Sequence, residues 1–366
     1  MMNLFVHSYR IDGCSWYRIK QLMSNINKDE IEVKEVDVET WSEKDIMEAI
    51  KKADVFYMRP SSKNVTQFIR EVREFYPSKK IIFDTDDDLF NISPFSDAYS
   101  FGGTKEVYLP DGKPLWVEDK HFDPYRNRRA LIDYEYCLTK SDVVTTTTIK
   151  LAETIKPFNK NVVVIPNAIN FAIFPRLDIK KDDNIRLLWS GGSSHYGDMF
   201  SIRDDLERLM KEYPNLHLHI LGNPFEGITK DMDQSRVHKD GWITADGHGY
   251  RLATLNADIA MCPLEDNEFN KNKSSVKYYE TAALGIPTVA KDMLPYSADI
   301  KHNQNGLLYT NDFYKQVKYL IDNPSERKRI SDNAYAWVKK NRDIKDIAKD
   351  FSNIVTSLKP NFVNLK

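Results

Sequence analysis

Short apolar runs recur along this chain, with helical patterns between most of them. Leu4–His7, Val33–Val38, Val55–Met58, Ile81–Phe83 and Val143–Thr146 form one series. Ile185–Trp189, Leu216–Leu221, Ile259–Cys262, Thr288–Ala290 and Leu307–Tyr309 form a second. Apolar strands alternating with amphipathic helices predict a parallel, doubly wound sheet, and the restart at Ile185 predicts two such α/β domains. The connector is Val162–Asn170, an apolar strand ending in Pro166-Asn167, followed by the polar run LDIKKDDN before the second series begins. The expected boundaries are 1–165, with an insertion near 93–124, then 166–342, then a last helical segment over 343–366.

Composition narrows the function more than the fold. At 366 residues the chain has room for two ordinary domains. Its 52 basic and 54 acidic residues leave a formal net charge of -2, so no global basic field draws it to nucleic acid or an anionic membrane. No apolar run reaches membrane-spanning length, and the start, MMNLFVHSYR, lacks the apolar core of a signal peptide. The cytoplasm is the expected location. Cys14, Cys137 and Cys262 are odd in number and widely spaced, which supports neither a disulfide framework nor a C-x-x-C metal site.

The stretch Phe269–Ala290, FNKNKSSVKYYETAALGIPTVA, carries the densest chemistry. It reads as a polar loop, a short helix from about Ser275 to Leu284 stopped by Gly285 and Pro287, and then a strand. Ser274 and Ser275 are N-cap residues, so the free amides of the first turn and the helix dipole favour an anion such as phosphate. Lys273 precedes the helix, and Lys277 and Glu280 share one of its faces, while Val276, Tyr279 and Ala283 face the sheet. The competing reading is an exposed Lys277–Glu280 ion pair beside a solvated Lys273.

In open parallel sheets ligands collect at the carboxyl ends of strands, so the loops there are read closely. Asp12-Gly13-Cys14-Ser15-Trp16-Tyr17-Arg18 follows the first strand. Gly13 lets backbone approach a ligand and Arg18 reaches toward it; the alternative is a tight turn with Arg18 exposed. Arg59, directly after the third strand, is a candidate of the same kind. The acidic run Asp84-Thr85-Asp86-Asp87-Asp88 follows the fourth strand and supports three readings. It resembles the metal-holding D-x-D of GT-A glycosyltransferases, and also the first motif of haloacid-dehalogenase phosphatases; the third reading is a helix start stabilised by acidic residues.

Between Ser93 and Pro124 lies an aromatic-rich insertion in which Asp111-Gly112 signals a hairpin. Phe101, Tyr108 and Trp116 suit an acceptor lid or an oligomer contact. In the second half, Gly191-Gly192-Ser193 follows the restarting strand and leads through His195 and Asp198 into a helix. Glycines there permit close backbone approach to a phosphate. His217 and His219, alternating on an apolar strand, read as structural.

Taken together these segments resemble GT-B glycosyltransferases, nearest to phage and bacterial relatives of family 4 and the glycogen-synthase-like group. The resemblance is carried by KSSVKYYETAALGIP, by GGSSHYGD, by DTDDDLF and by the DGCSWYR opening. It implies two Rossmann-like domains facing across a cleft, the last helix bracing the first domain, and transfer of a hexose from a nucleotide diphosphate sugar, UDP-sugar foremost and UDP-glucose among them, to an acceptor hydroxyl. By that resemblance the donor is bound by Gly191, Gly192, Ser193, His195, Asn272, Lys273, Ser274, Ser275, Lys277 and Glu280, with Glu280 on the ribose. The acceptor side is Gly13, Arg18, Arg59, Asp84 and Asp86, and the catalytic set is Asp86, Asp87, His195 and Lys273. Reaction with retention is expected, with no metal and no cofactor beyond the co-substrate.

Two departures stand out. Related retaining enzymes carry a glutamate where this chain has Asn272, with Glu268 as a possible substitute, and the basic pair many relatives carry after the second domain's first strand is missing. Lys273 or Lys277 then supplies the positive charge. The acceptor is open between a glycan, a small molecule and modified DNA, the last giving a phage DNA-modifying glucosyltransferase. A non-catalytic sugar-nucleotide-binding or assembly protein is the alternative outside the enzyme class.

Overall fold

The computed structural model describes residues 1–8, 12–37, 42–60, 64–116, 119–179 and 182–358. Val38, Ser61, Ser62, Val117, Lys180, Lys181 and the segment 359–366, which take part in the readings above, lie outside the described residues. The chain divides into two compact units. The first comprises Met1–Phe90, Asp123–Asn167 and Ile344–Lys366; the second comprises Asn91–Phe122 and Ala168–Asp343.

The first unit holds β1 (Met2–Ser8), β2 (Ile31–Asp37), β3 (Val55–Met58), β4 (Lys80–Asp84), β5 (Val143–Thr146) and β6 (Val162–Val164), in the order β2-β1-β3-β4-β5-β6. The second holds β7 (Ile185–Gly191), β8 (Leu216–Gly222), β9 (Val237–Asp240), β10 (Ile259–Cys262), β11 (Thr288–Lys291) and β12 (Leu307–Tyr309), in the order β12-β11-β10-β7-β8-β9. Every pairing is parallel, as crossover helices require. Central strands are apolar throughout because helices cover both faces: Val55–Met58 and Ile259–Cys262 are buried at every position. In each unit the order reverses beside a central strand, β1 in one and β7 in the other, which puts the loops after those strands where ligands gather.

Helix Ile344–Ser357 belongs to the first unit. Its Ser352 Oγ accepts from the Asn27 amide at 3.1 Å and its Phe351 ring meets Tyr57 edge-on at 5.2 Å. The segment Asn91–Phe122, which contains most of the insertion, is part of the second unit. Its hairpin is present: Leu109 and Lys113 pair at 2.8 Å, and Gly112 sits at φ +80°, where a side chain would be strained. Tyr99 stacks on Trp116 at 6.2 Å and Trp116 Nε1 donates to the Pro94 carbonyl at 2.8 Å, so Trp116 is internal packing of the insertion, whereas Phe101 and Tyr108 are exposed. All three cysteines are free, and Cys137 and Cys262 are buried. Among the described residues no helix is long and apolar enough to cross a membrane.

Candidate functional site

In the second unit the loops after β7 and β10 and the helix Val276–Ala283 converge on one place. The link is Lys277. Its ammonium donates to the Ser190 carbonyl at 2.6 Å and stands 4.8 Å from the centroid of the buried Trp189 ring. Gly191, at φ +156°, is required there, because a Cβ would lie 2.4 Å from Lys277 Nζ. Burial pushes the Lys277 ammonium down to about 8, and among the described residues it forms no salt bridge. This half-buried cation is held by a carbonyl and an aromatic face, with Asp198 and Glu280 favouring its charge from beyond salt-bridge range, an arrangement that an anionic ligand suits.

Next to it the 3-10 turn Ser193–His195 runs into the helix Tyr196–Phe200. His195 Nδ1 meets Asp198 Oδ2 at 2.5 Å, while Asp198 Oδ1 accepts from the Glu265 amide at 2.7 Å. Burial, then the charge of Lys277, push the His195 imidazole down to about 3, so it is neutral near neutral pH. With Nδ1–H assigned to the carboxylate, Nε2 is an acceptor, suited to a hydroxyl rather than to a phosphate oxygen. Trp242 is 73% exposed and its ring would lie 3.4 Å from a Cβ at Gly192, so an indole face borders the glycine loop.

The helix Val276–Ala283 departs from its sequence reading in two ways. Ser275 makes no side-chain cap; its backbone is not extended (φ -78°, ψ 32°), and its buried Oγ has no hydrogen-bond partner. The exposed Lys277–Glu280 pair does not form: Glu280 is only 5% exposed, and its cationic neighbour is His248, with Nε2 at 3.5 Å from Oε1. Tyr279 and Ala283 are buried as expected, and so are Tyr278, Thr281 and Ala282, because the helix is packed on almost every side. Behind it Tyr279 Oη donates to Asp299 at 2.6 Å and Arg342 donates to the same carboxylate at 2.8 Å.

Lys273 ends the preceding helix, Glu268–Asn272, with its ammonium 4.8 Å from the Phe269 ring centroid. Asn272 is buried and donates to the Glu268 carbonyl at 2.8 Å, which makes it part of that helix's own end. The Glu268 carboxylate is turned outward and pairs with Lys271 at 3.0 Å. A different carboxylate stands at the site. Glu265 lies so close to Gly197 that a Cβ there would meet its carboxyl at 2.5 Å, and burial with the neighbouring Asp198 raises its pKa. Sequence reasoning missed Glu265, His248 and the ring of Trp189, whose places are set by elements remote in sequence.

The first unit's cluster has another character. Asp12 caps the turn Gly13–Ser15, accepting from the Ser15 amide at 2.6 Å, and Trp16–Lys20 winds as a π-helix that turns Arg18 inward. Arg18 is 1% exposed; its Nη2 donates to Asp84 at 2.6 Å and its Nη1 to the Ile165 carbonyl at 2.5 Å. Asp84, wholly buried, also accepts from Thr145 at 2.7 Å and has Arg59 Nε at 3.4 Å. Arg59 Nη2 donates to Asp86 at 2.7 Å. Arg18 and Asp84 are buried and paired with each other, so the exposed-Arg18 alternative fails. Gly13 is exposed, with nothing within 4 Å of a Cβ built there.

Asp86 and Asp87 are partly exposed, while Asp88 is buried and accepts from the Phe90 amide at 3.1 Å. No helix begins at Asp88, so the helix-start reading of the run gives way to a turn. The Cys14 thiol and the Asp86 and Asp87 carboxylates lie within 4.8 Å of one another, a donor set of the size a divalent ion spans. Asp86, with burial behind it, holds the Cys14 pKa well above its usual value, and Arg59 already answers Asp86, so the set is a poor one for a cation. In the second sheet His217 and His238 hydrogen-bond ring to ring at 2.8 Å and His219 stacks on His238, as structural histidines do.

Residues 203–353 match the family described as glycosyl transferase-like. Over 153 residues, 40% of this chain, the sequence is 26% identical to the glycosyltransferase 1 domain-containing protein 1 of Xenopus tropicalis, and the match spans 43% of that relative's length. In overall structure the chain is similar to the sucrose-phosphate synthase of Thermosynechococcus elongatus, with a TM-score of 0.67 at 13% identity over 98% of this chain and 99% of that one. It is similar also to HepE of Anabaena in complex with UDP, with a TM-score of 0.66 at 13% identity over 98% and 100%. The two six-stranded parallel units thus have the GT-B fold.

Proposed function

We propose that the protein is a glycosyltransferase that moves a hexose from a UDP-sugar to an acceptor hydroxyl, with retention and without a metal ion. The observation that carries the reading is Lys277, a half-buried ammonium with no salt bridge among the described residues, set beside Gly191 and the His195–Asp198 pair. HepE, whose fold this chain shares, was solved with UDP and with UDP-glucose. In the reaction the bond between the anomeric carbon and the diphosphate oxygen breaks and the acceptor oxygen takes its place, releasing a proton. Negative charge grows on the leaving diphosphate, and Lys277, Lys273 and the amides about Ser274 and Ser275 answer it. Glu280 holds the ribose, while His195 and Glu265 receive hydroxyls of the sugar. Asp86 and Asp87 orient the acceptor, and the chain works in the cytoplasm.

A protein that binds nucleotide sugar without turning it over is favoured by one observation, Asn272 in place of a glutamate. Glu265 offsets it by bringing a carboxylate to the same loop. Labelled UDP-hexoses offered with a panel of glycans and hydroxymethylated DNA separate the readings. Release of UDP with label on an acceptor supports transfer; binding of UDP with no turnover under any acceptor supports the second reading.

A further inference from the structure

The Glu280 carboxylate is nearly solvent-free, its side chain being 7% exposed, and a carboxylate so placed needs a compensating charge to stay ionised. Lys277, three positions earlier, acts on it only from beyond salt-bridge range, its ammonium being held by the Ser190 carbonyl and the Trp189 ring. The compensating group comes from the helix Ala245–Thr254, whose His248 puts Nε2 3.5 Å from Glu280 Oε1. A contact of that length is a long, charge-assisted one, which orients the carboxylate toward His248.

We propose that His248 is a positioning residue that holds Glu280 for the donor's ribose as an imidazolium, so that nucleotide binding weakens when rising pH removes that proton. The inference rests on the donor-site reading above and adds to it a regulation by pH. Two effects act in the same direction. With His248 charged the pair is neutral; without the proton it is a net anion facing a diphosphate, and the carboxylate also loses the group that aims it. Among the described residues the charged groups acting on His248 are Glu280, which favours the imidazolium, and Lys277, which opposes it. Burial opposes the charged form as well, and Glu280 outweighs burial and Lys277 together, so the His248 pKa is raised above that of a free imidazole.

The test is calorimetric titration of the full chain with UDP across pH 5.5 to 9, for the wild type, H248Q and E280Q. His248→Gln keeps a donor near Glu280 but never carries charge. The terminal phosphate of UDP and Lys277 titrate alike in the wild type and in H248Q, so the difference between their curves isolates His248. Wild-type affinity should fall about fivefold or more across the imidazole titration, and the H248Q curve should lack that fall, keeping only the loss above pH 8 that belongs to Lys277. In E280Q the His248 ring signal, followed by NMR, should titrate at lower pH than in the wild type. Parallel wild-type and H248Q curves, with UDP still bound, overturn the proposal and leave the donor-site reading standing. Failure to bind UDP at any pH overturns both. A melting temperature for H248Q close to that of the wild type shows that the curves report binding and not loss of fold.

Discussion

The two sheets bury charge in opposite ways. In the first unit Arg18, Asp84 and Arg59 are sealed off together and each guanidinium meets a carboxylate. In the second, the half-buried Lys277 rests against a carbonyl and an indole, and burial lowers its pKa although Asp198 and Glu280 favour its charge from beyond salt-bridge range. In the first arrangement each guanidinium has a carboxylate, though Arg59 keeps Nε and Nη1 without a hydrogen-bond partner, and the cluster stabilises the unit only while all its members are present. The second has a cation with no carboxylate in salt-bridge range among the described residues. Buried charge by itself therefore does not mark a binding site; a charge with no salt bridge among the described residues is the better sign.

The comparison breaks most visibly at Asp84. Replacing it with alanine leaves the buried Arg18 guanidinium without its carboxylate and Arg59 with Asp86 alone, and we expect a loss of about 3–5 kcal/mol, read by chemical denaturation of the first unit. UDP affinity of the folded protein should be unchanged. The same carboxyl is held below its usual pKa by Arg18 and Arg59 against the opposing effect of burial. Its stabilisation is present above the unfolded-state pKa and is lost as pH falls through the lower, folded value.

Lys277→Ala removes the unpaired cation and should cost kcat on the order of 100- to 1,000-fold, with UDP binding weakened too. Its pH behaviour sharpens the contrast. Because the folded-state pKa lies near 8, below that of a free lysine, activity should decline above pH 8 while the folded state gains stability, since there the unfolded chain binds more protons. Activity and thermal midpoint measured on the same samples across pH 7 to 10 should move in opposite directions.

Smaller effects follow at the edges. Glu280→Ala should weaken UDP binding by about 1.5–3 kcal/mol, the value of a charge-assisted hydrogen bond, seen by calorimetry. Asp86→Asn should lower kcat/KM for the acceptor on the order of tenfold, about 1.4 kcal/mol, and leave UDP affinity alone. If UDP affinity falls with Asp86, the first unit's cluster takes part in donor binding and the division drawn here fails.

Much of the architecture is legible in the sequence because a strand buried on both faces must be an apolar run, as at Val55–Met58 and Ile259–Cys262. The exception is β9, Val237–Asp240, where a single buried valine leaves nothing for a hydrophobic pattern to show. Arg236 secures that edge by donating to the Met210 and Tyr213 carbonyls. Within the site, helix grammar finds the position of Lys277 and Glu280 but not their partners. Ser190 and His248 arrive from other elements, and spacing along one helix suggests a mutual ion pair that burial forbids. The same limit applies to Arg18 and Asp84: a charge after a strand looks available for ligands until the fold shows it sealed.

The most direct test of the donor site is calorimetric titration of UDP into the wild type and Lys277→Ala, with and without excess EDTA and with manganese added back. We expect saturable binding to the wild type that persists in EDTA and is weakened tenfold or more by the substitution. Binding indifferent to Lys277, or abolished by EDTA and restored by manganese, would contradict the claim that this half-buried lysine is where the diphosphate is held.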